Sequence, residues 1–286
     1  MQRALAGVWD RRVAELPEHG VLLVCTDLHG NLRDYERMLE LHQAELASGR
    51  EAILAFCGDI VHGPSQEVVQ QWPGYLGTPY RDESAKIILH FERYSREFKA
   101  FSLMGNHEHS HVGGPVVPKF YPDEAAVLDA VLGDQVARVH RFLGSFPLLA
   151  VTPCGVVLTH GAPAATTDTL EGFESLEYAG YREFPFHAMR ASDPLGALLW
   201  SRACSTSEAA DLLEVAYGER RGVVVHGHVI VRSGFSLGGP HHLCLSTSFG
   251  LYDHKKAYIR LDLSARYTCT RDLRVGHEIL PLYGEM

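Results

Sequence analysis

Three apolar segments of this chain, at 21–24, 53–56 and 100–104, each lead into polar residues that can bind a metal ion. The polar residues that follow them are Asp27-Leu28-His29-Gly30, Gly58-Asp59 and Asn106-His107-Glu108. Helix-like segments separate the three runs, and strands that alternate with helices predict an α/β fold that begins with a mainly parallel sheet. Because ligands bind at the carboxyl ends of the strands in such sheets, we expect these polar groups to meet at one edge.

The composition is that of a globular protein and limits the choice of partners. Hydrophobic residues make up 46% and charged residues 21% of the 286 positions, enough apolar material for a large core. The formal net charge of -9 argues against a broad nucleic-acid-binding surface. No apolar run approaches the roughly 20 residues that cross a bilayer, and residues 1–15 lack a secretory apolar core. We therefore predict a cytoplasmic protein without a membrane partner, and the oligomeric state stays open.

The cysteines point in the same direction. Six cysteines are present without a CxxC pair, and Cys25, Cys57 and Cys244 lie within or beside apolar runs. In a chain of this length the pattern favours reduced, buried thiols over a disulfide framework.

The periodicity predicts one domain over 1–286, because no linker, repeat or shift in composition divides the chain. The predicted strands are 21–26, 52–57, 100–104, 148–152, 155–159 and 222–225. The predicted helices are 1–16, 32–48, 82–99, 123–142 and 207–217. Residues 242–249 and 256–263 are expected to form antiparallel strands around a turn near Asp253, and 163–195 to be irregular.

Six candidate metal ligands each follow a predicted strand. They are Asp27, His29, Asp59, Asn106, His160 and His228. Any one of these motifs alone is more often a turn, a helix cap or a loop, but five such strand ends in one chain are hard to explain by chance. Carboxylate, amide and imidazole groups together suit manganese, iron or zinc. Five converging loops can hold two ions, and one aspartate can bridge them.

The set of motifs DLHG, GDIVHG, GNHE, THG and GH resembles the calcineurin-like metallophosphoesterase superfamily. The runs Phe146-Pro147-Leu148-Leu149 and Trp200-Ser201-Arg202 resemble its phosphoprotein phosphatase branch, especially the bacterial and bacteriophage members. The resemblance extends from about residue 21 to 263. It implies an α/β fold in which a sandwich of two β-sheets is flanked by helices, with a site for two divalent ions, expected to be manganese, and a phosphorylated substrate.

The resemblance also implies a role for each site residue. Asp27, His29 and Asp59 would bind the first ion, and the second ion would be bound by Asp59, Asn106, His160 and His228, with Asp59 as the bridge. His228 is preferred to His226 because a Gly-His pair is the pattern of the family. His107 would be the general acid that protonates the leaving group, and Arg202 would hold the phosphate. Glu108 is expected to support the site.

One motif departs from the phosphatase branch. The usual GDxxDRG is here Gly58-Asp59-Ile60-Val61-His62-Gly63, so an aspartate that orients the catalytic imidazole and an arginine that grips phosphate are both missing. His62 is assigned to the catalytic group as a partner of His107 or a contact for phosphate, and an ordinary loop residue is the alternative. Three arginines remain open as the replacement cation: Arg81, Arg182 and Arg190. His109 and His111 are expected to face solvent or to support the site.

The 47 residues between Asp59 and Asn106 predict an insert at 63–99. Its aromatic residues Trp72, Tyr75 and Tyr80 would either roof the active site or pack the insert itself.

Three functions compete at this point. The first is a phosphomonoesterase, most similar to a bacterial-type protein serine/threonine phosphatase. The second is hydrolysis of a dinucleoside polyphosphate or another nucleotide phosphate on the same metal centre, for which stacking aromatics would be useful. The third is a non-catalytic protein that binds phosphorylated partners, which the altered GDIVHG motif suggests and the full set of ligands opposes.

Overall fold

The computed structural model describes residues 11–189 and 193–284. Its strands are β1 (Val13–Glu15), β2 (Val21–Cys25), β3 (Ala52–Phe56), β4 (Ala100–Ser102), β5 (Leu149–Val151), β6 (Val156–Thr159), β7 (Val223–His226), β8 (Phe235–Leu237), β9 (His242–Leu245), β10 (Ala257–Asp262) and β11 (Ile279–Pro281). Its α-helices are α1 (Leu32–Ala47), α2 (Gln66–Gln70), α3 (Ser84–Glu97), α4 (Asn106–His109), α5 (Glu124–Leu132), α6 (Val136–Gly144), α7 (Leu170–Glu174), α8 (Phe186–Met189), α9 (Pro194–Trp200) and α10 (Thr206–Tyr217). None of these helices is long and apolar enough to cross a membrane.

The strands form two mixed sheets. One sheet has the order β1-β5-β6-β7-β9-β8, and the other has the order β11-β10-β2-β3-β4. In the second sheet β2, β3 and β4 run parallel, as the strand–helix alternation predicts. In the first sheet β6, β7 and β9 run parallel to one another, and β1 runs parallel to β5. The loops that follow these parallel strands therefore leave each sheet at the carboxyl ends of the strands.

Alternation along the strands builds a sandwich. Leu22 and Val24 of β2 join Val223 and Val225 of β7 in one buried cluster, which fills the space between the sheets. Residues at the intervening positions, such as Leu23, belong to a second cluster that includes the apolar faces of α1, α3 and α10. Side chains two apart point to the same face of a strand, so each sheet packs on the other sheet with one face and on helices with the other. The predicted two-sheet α/β sandwich is confirmed.

Four expectations for the elements differ from the structure. Residues 163–195, expected to be irregular, include the short helices α7 and α8. Residues 13–15, placed in a helix at 1–16, form β1, which pairs with β5; residues 1–10 of that helix lie outside the described residues. The helix at 123–142 is two helices, α5 and α6, because the chain bends at Gly133, which has a φ of 55°. The two last strands do not form a hairpin, since β9 and β10 belong to different sheets.

The carboxyl ends of the two sheets are joined by hydrogen bonds. Thr26 N, after β2, donates to Thr247 Oγ1, after β9, at 3.0 Å, and His228 N, after β7, donates to Asp27 Oδ2 at 3.0 Å. The loops after β3 and β4 also touch. Gly58 has a φ of 82°, and a Cβ atom there would lie 2.8 Å from the backbone N of Gly105. Only glycine allows this approach.

We predict that Gly58→Ala destabilises the fold through crowding as well as through backbone strain. Gly49→Ala is the matched control, because Gly49 has a similar φ of 81° but a Cβ atom there would have nothing within 4 Å. The control should lower the free energy of unfolding by about 1–2 kcal/mol. Gly58→Ala should lower it by about 1–3 kcal/mol more, the usual range for overpacking. Urea denaturation measures both values, and equal losses would contradict the crowding.

Candidate metal centre

Backbone strain coincides with the candidate site. Among the described residues, the non-glycine residues with positive φ are Asp27 (53°), His29 (46°), Asp59 (54°), His62 (68°) and His228 (66°). All of them are site residues predicted from the sequence. A left-handed backbone costs an L-residue about 1–2 kcal/mol, and such strain concentrates where function holds it in place.

The strained loops surround a cavity of about 430 Å³, within the usual size range of ligand pockets. Its lining includes His107, Arg202 and five of the six candidate ligands: Asp27, His29, Asp59, Asn106 and His228. The sixth, His160, is fully buried and contacts Asn106 and His228. The structure thus brings together all six candidate ligands at one edge of the sandwich.

The Asp59 carboxylate lies between two groups of ligands. Its Oδ2 atom is 3.6 Å from His29 Nε2 and 3.5 Å from His160 Nε2. On the second side, His160 Nε2 is 2.9 Å from Asn106 Oδ1 and 3.2 Å from His228 Nδ1. Ligand atoms bound to one ion at about 2.0–2.2 Å are separated by similar distances. The donor set therefore fits metal ions on both sides of Asp59.

Two ligand imidazoles are oriented by backbone carbonyl groups. His29 Nδ1 lies 3.1 Å from the carbonyl oxygen of His62, and His160 Nδ1 lies 2.7 Å from that of Cys57. A carbonyl oxygen only accepts, so each Nδ1 carries the proton and donates it. This leaves a lone pair on the Nε2 atom of each ring, near Asp59, and metal-binding histidines have the same arrangement.

Burial sets the protonation of the site. It raises the pKa of Asp27 and of Asp59 to about 7. It lowers the pKa of His29 and His228 well below the ordinary value, so these imidazoles are neutral near pH 7. Neutral imidazoles offer lone pairs, and buried carboxylates without a counter-charge are unfavourable. The site therefore favours a bound cation.

Glu108 supports the loop that carries Asp59. Its carboxylate accepts hydrogen bonds from the backbone N–H groups of Asp59 (2.8 Å), Ile60 (2.8 Å), Val61 (3.3 Å) and Gly105 (3.1 Å). The side chain is fully buried and does not line the cavity. These contacts hold the loops after β3 and β4 together, which is the supporting role expected for Glu108.

His107 contacts Glu124 and His62 on the side away from the cavity. Its Nδ1 atom lies 3.1 Å from Glu124 Oε2 and 3.0 Å from His62 Nδ1. Its backbone N–H donates to Asp59 Oδ1 at 3.1 Å. Burial lowers the pKa of His107 and raises that of Glu124 to about 8. His62 does not line the cavity, so a direct contact with phosphate is not supported. Its contact with His107 favours the other catalytic role, that of a partner for His107.

A lysine that the sequence analysis missed enters the site. Lys119 Nζ lies 3.0 Å from His29 Nε2 and 3.8 Å from the centre of the Phe249 ring. The residue as a whole is exposed, but its ammonium group lies among cavity-lining residues, where loss of hydration lowers its pKa. Arg202 is exposed and lines the same cavity. Two cations therefore border the site.

The arginines left open as replacements for the missing phosphate-binding arginine are not found at the cavity. Arg81 is exposed and Arg182 pairs with Asp123 at 2.8 Å, and neither lines the cavity. Arg190 lies outside the described residues. Lys119 lies between α4 and α5, and Glu124 is the first residue of α5; neither belongs to a recognisable motif. A lone lysine beside Pro118 and an acidic residue at a helix start are too common to mark a site.

Other expectations need correction. Trp72, Tyr75 and Tyr80 do not line the cavity; Trp72 packs on Tyr80, whose hydroxyl donates to the carbonyl oxygen of His29 at 2.9 Å. The roof is therefore wrong. Trp72 and Tyr80 pack on each other within the segment, whereas Tyr75 is 63% exposed. Of the two roles left open for His109 and His111, exposure to solvent is excluded because both are buried, and His111 contacts His62 at 2.8 Å. Whether 63–99 is an insert stays a prediction, and within it α3 is the crossover helix between β3 and β4.

The chain belongs to the calcineurin-like phosphoesterase family, which matches it over residues 20–259. It is therefore a metal-dependent phosphoric ester hydrolase. No curated protein matches the sequence significantly.

Solved structures show the same fold. A protein serine/threonine phosphatase from Saccharomyces cerevisiae is 13% identical with a TM-score of 0.54, over 92% of this chain and 83% of that chain. A cold-active protein-tyrosine phosphatase from a psychrophilic Shewanella species is 13% identical with a TM-score of 0.55, over 90% of this chain and 80% of that chain.

We predict that divalent-ion binding strengthens as the pH rises toward 7 and then levels off. Below that pH the buried Asp27 and Asp59 carboxyls hold protons, which an ion must displace, whereas His29 and His228 are already neutral. Calorimetric titration of the metal-stripped protein with manganese, in buffers of different ionisation enthalpy, measures the protons released. Release at pH 6 and none at pH 8.5 is expected. Equal affinity and no proton release at both pH values would contradict the protonation of the carboxyls.

Proposed function

We propose that this protein is a phosphomonoesterase with two divalent ions, in which Asp27, His29 and Asp59 bind the first ion. Asp59, Asn106, His160 and His228 bind the second. The observation that carries the proposal is the position of Asp59 Oδ2, at 3.6 Å and 3.5 Å from the Nε2 atoms of His29 and His160. Manganese is the expected metal, with iron and zinc as alternatives.

Two such ions, when bound, supply an activated water and neutralise the charge that develops on a phosphate group. The protein's own part is to hold their ligands in strained but fixed loops and to border the cavity with groups that act on the substrate. Glu108 accepts hydrogen bonds from three backbone N–H groups of the Asp59 loop and from that of Gly105 in the loop after β4. The centre is therefore preorganised before substrate enters.

His107 acts as the general acid. It lines the cavity, and its Nε2 atom lies 3.9 Å from Asp59 Oδ2, so this nitrogen faces the ligand cluster. Glu124 Oε2 lies 3.1 Å from Nδ1, where the carboxylate, once ionised, would stabilise the protonated ring. The Nε2 proton passes to the oxygen of the leaving alcohol as the ester bond breaks. Glu124 thereby takes the role of the aspartate that is missing from the GDIVHG motif, which is to orient the catalytic imidazole.

Lys119 and Arg202 hold the phosphate oxygens. His29 Nε2 has one lone pair, so it either accepts a hydrogen bond from Lys119 or binds an ion. With an ion bound, the ammonium group of Lys119 is released toward the cavity that it lines. Arg202 supplies a fork of N–H donors suited to two phosphate oxygens. Lys119 thereby replaces the arginine that the phosphatase branch carries in its motif.

The expected substrate is a phosphoserine or phosphothreonine side chain. Val117, Pro118, Val229 and Ile230 also line the cavity and give it an apolar wall beside the ligands. Hydrolysis of nucleotides was suggested by the altered GDIVHG motif and by an aromatic roof from 63–99, and the second of these supports is gone. The six free cysteines, four of them buried, suit a reducing compartment such as the cytoplasm.

A substrate panel tests the proposal. Phosphate release is measured with manganese from an aryl phosphate, a phosphothreonine peptide and a dinucleoside tetraphosphate. Turnover of the first two, lost on chelation and restored by manganese, is expected. Preference for the dinucleoside tetraphosphate would favour the nucleotide function instead, and no turnover of any of them with any divalent ion would refute the phosphoesterase assignment.

We predict that the loss caused by His107→Asn depends on the leaving group. A general acid contributes about 10²–10⁴-fold to the rate, and only a poor leaving group needs it. The variant should therefore lose activity by that factor on a phosphoserine peptide and much less on a dinitrophenyl phosphate. Its metal content, measured by mass spectrometry, should equal that of the wild type. Equal losses on both substrates would remove His107 from proton transfer.

We predict opposite effects of Lys119→Met on substrate and metal. Removal of the ammonium should raise KM about tenfold or more, since 1.4 kcal/mol corresponds to a factor of ten. The same change should tighten binding of the first ion, because Lys119 no longer competes for His29. Lys255→Met, at an exposed position away from the cavity, is the control. Unchanged KM together with unchanged metal affinity would contradict the role of Lys119.

A further inference from the structure

A second cluster of metal-binding groups lies behind the active site. His111 Nδ1 is 3.0 Å from Asp129 Oδ1, His140 Nε2 is 2.9 Å from the same oxygen, and the two nitrogens are 3.2 Å apart. His111 follows α4, Asp129 lies on α5 and His140 lies on α6. None of the three residues lines the catalytic cavity.

The three donor atoms converge on one point. Around a tetrahedral ion with bonds of about 2.0–2.1 Å, neighbouring donor atoms are about 3.3 Å apart. The distances of 2.9 to 3.2 Å in the cluster are close to that value. A small inward or outward adjustment of three side chains would therefore be enough to bind an ion, without any change in the helices.

The other nitrogen of His111 has the partner that a ligand histidine needs. His111 Nε2 lies 2.8 Å from His62 Nε2, and the His111 side chain is fully buried. When Nδ1 binds a metal, the proton is on Nε2, where His62 can accept it. Such an outer contact fixes the orientation of the ring and is characteristic of metal-binding histidines.

The cluster is also accessible to an ion from solvent. The side chains of Asp129 and His140 are 27% and 29% exposed, which gives an ion a path of entry and leaves a coordination position for water. Two imidazoles and one carboxylate with an open position suit zinc or cobalt better than manganese, which prefers oxygen ligands. The single carboxylate and neutral imidazoles leave the bound ion with a net positive charge.

We propose that His111, Asp129 and His140 form a third metal site, selective for a zinc-type ion and separate from the dinuclear centre. Its ion would be held by two nitrogens and one oxygen, with water in the fourth position. The site does not depend on the proposed phosphatase reaction. It would lie two imidazole contacts from His107, through His111 and His62.

Metal stoichiometry tests this site. Metal-stripped wild type, His140→Ala and Asp129→Asn are titrated with cobalt, and the d–d absorption in the visible range reports tetrahedral coordination. Both variants should bind one equivalent fewer than the wild type. His277→Ala, which removes an exposed histidine elsewhere, is the matched control and should bind the same number as the wild type.

Two further measurements make the result decisive. Circular dichroism and thermal unfolding show whether the variants keep the fold, and His140 is exposed enough for a folded alanine variant. In Asp59→Asn the tetrahedral cobalt signal from the third site should persist, so loss of the dinuclear centre is distinguished from loss of this site. Identical cobalt stoichiometry and spectra in the wild type, His140→Ala and Asp129→Asn would overturn the proposal.

Discussion

The structure of the site depends on the buried carboxylate of Asp59. Its Oδ1 atom accepts a hydrogen bond from His107 N, while Oδ2 faces the imidazoles of His29 and His160. A negative charge in this position is unfavourable unless a cation neutralises it. The residue also has a left-handed backbone, which the contacts of Glu108 with the same loop hold in place. Stability and chemistry at this edge therefore depend on one loop.

The altered motif illustrates how a site can keep its geometry while changing its sequence. In place of an aspartate and an arginine next to Asp59, the structure has Glu124 beside His107 and Lys119 beside His29. Lys119 lies shortly before α5, and Glu124 is the first residue of α5. Electrostatic support depends on distance and charge and not on position in the chain. Residues more than 50 positions from Asp59 can therefore supply the charges that the motif lacks. The proposed mechanism assigns them the two missing tasks.

Much of the fold and site could be predicted from local patterns. The strands β2, β3 and β4 are short apolar runs, and the ligand candidates follow them directly. The remaining features depend on contacts between distant residues. β1 forms because residues 13–15 pair with β5, and β9 and β10 separate because each finds its partners in a different sheet. Lys119, Glu124 and the cluster around His111 likewise carry no local signal, since only the packing of α4, α5 and α6 brings them together.

The central claim is that Asp59 bridges two ions, and electron paramagnetic resonance of the manganese-loaded protein tests it most directly. Two manganese ions joined by a carboxylate and a water are exchange-coupled, which changes the spectrum from that of isolated ions. The wild type should show the coupled spectrum at two equivalents of manganese, and Asp59→Asn should lose it. A wild-type spectrum of isolated ions only, or a coupled spectrum that survives in Asp59→Asn, would contradict the account.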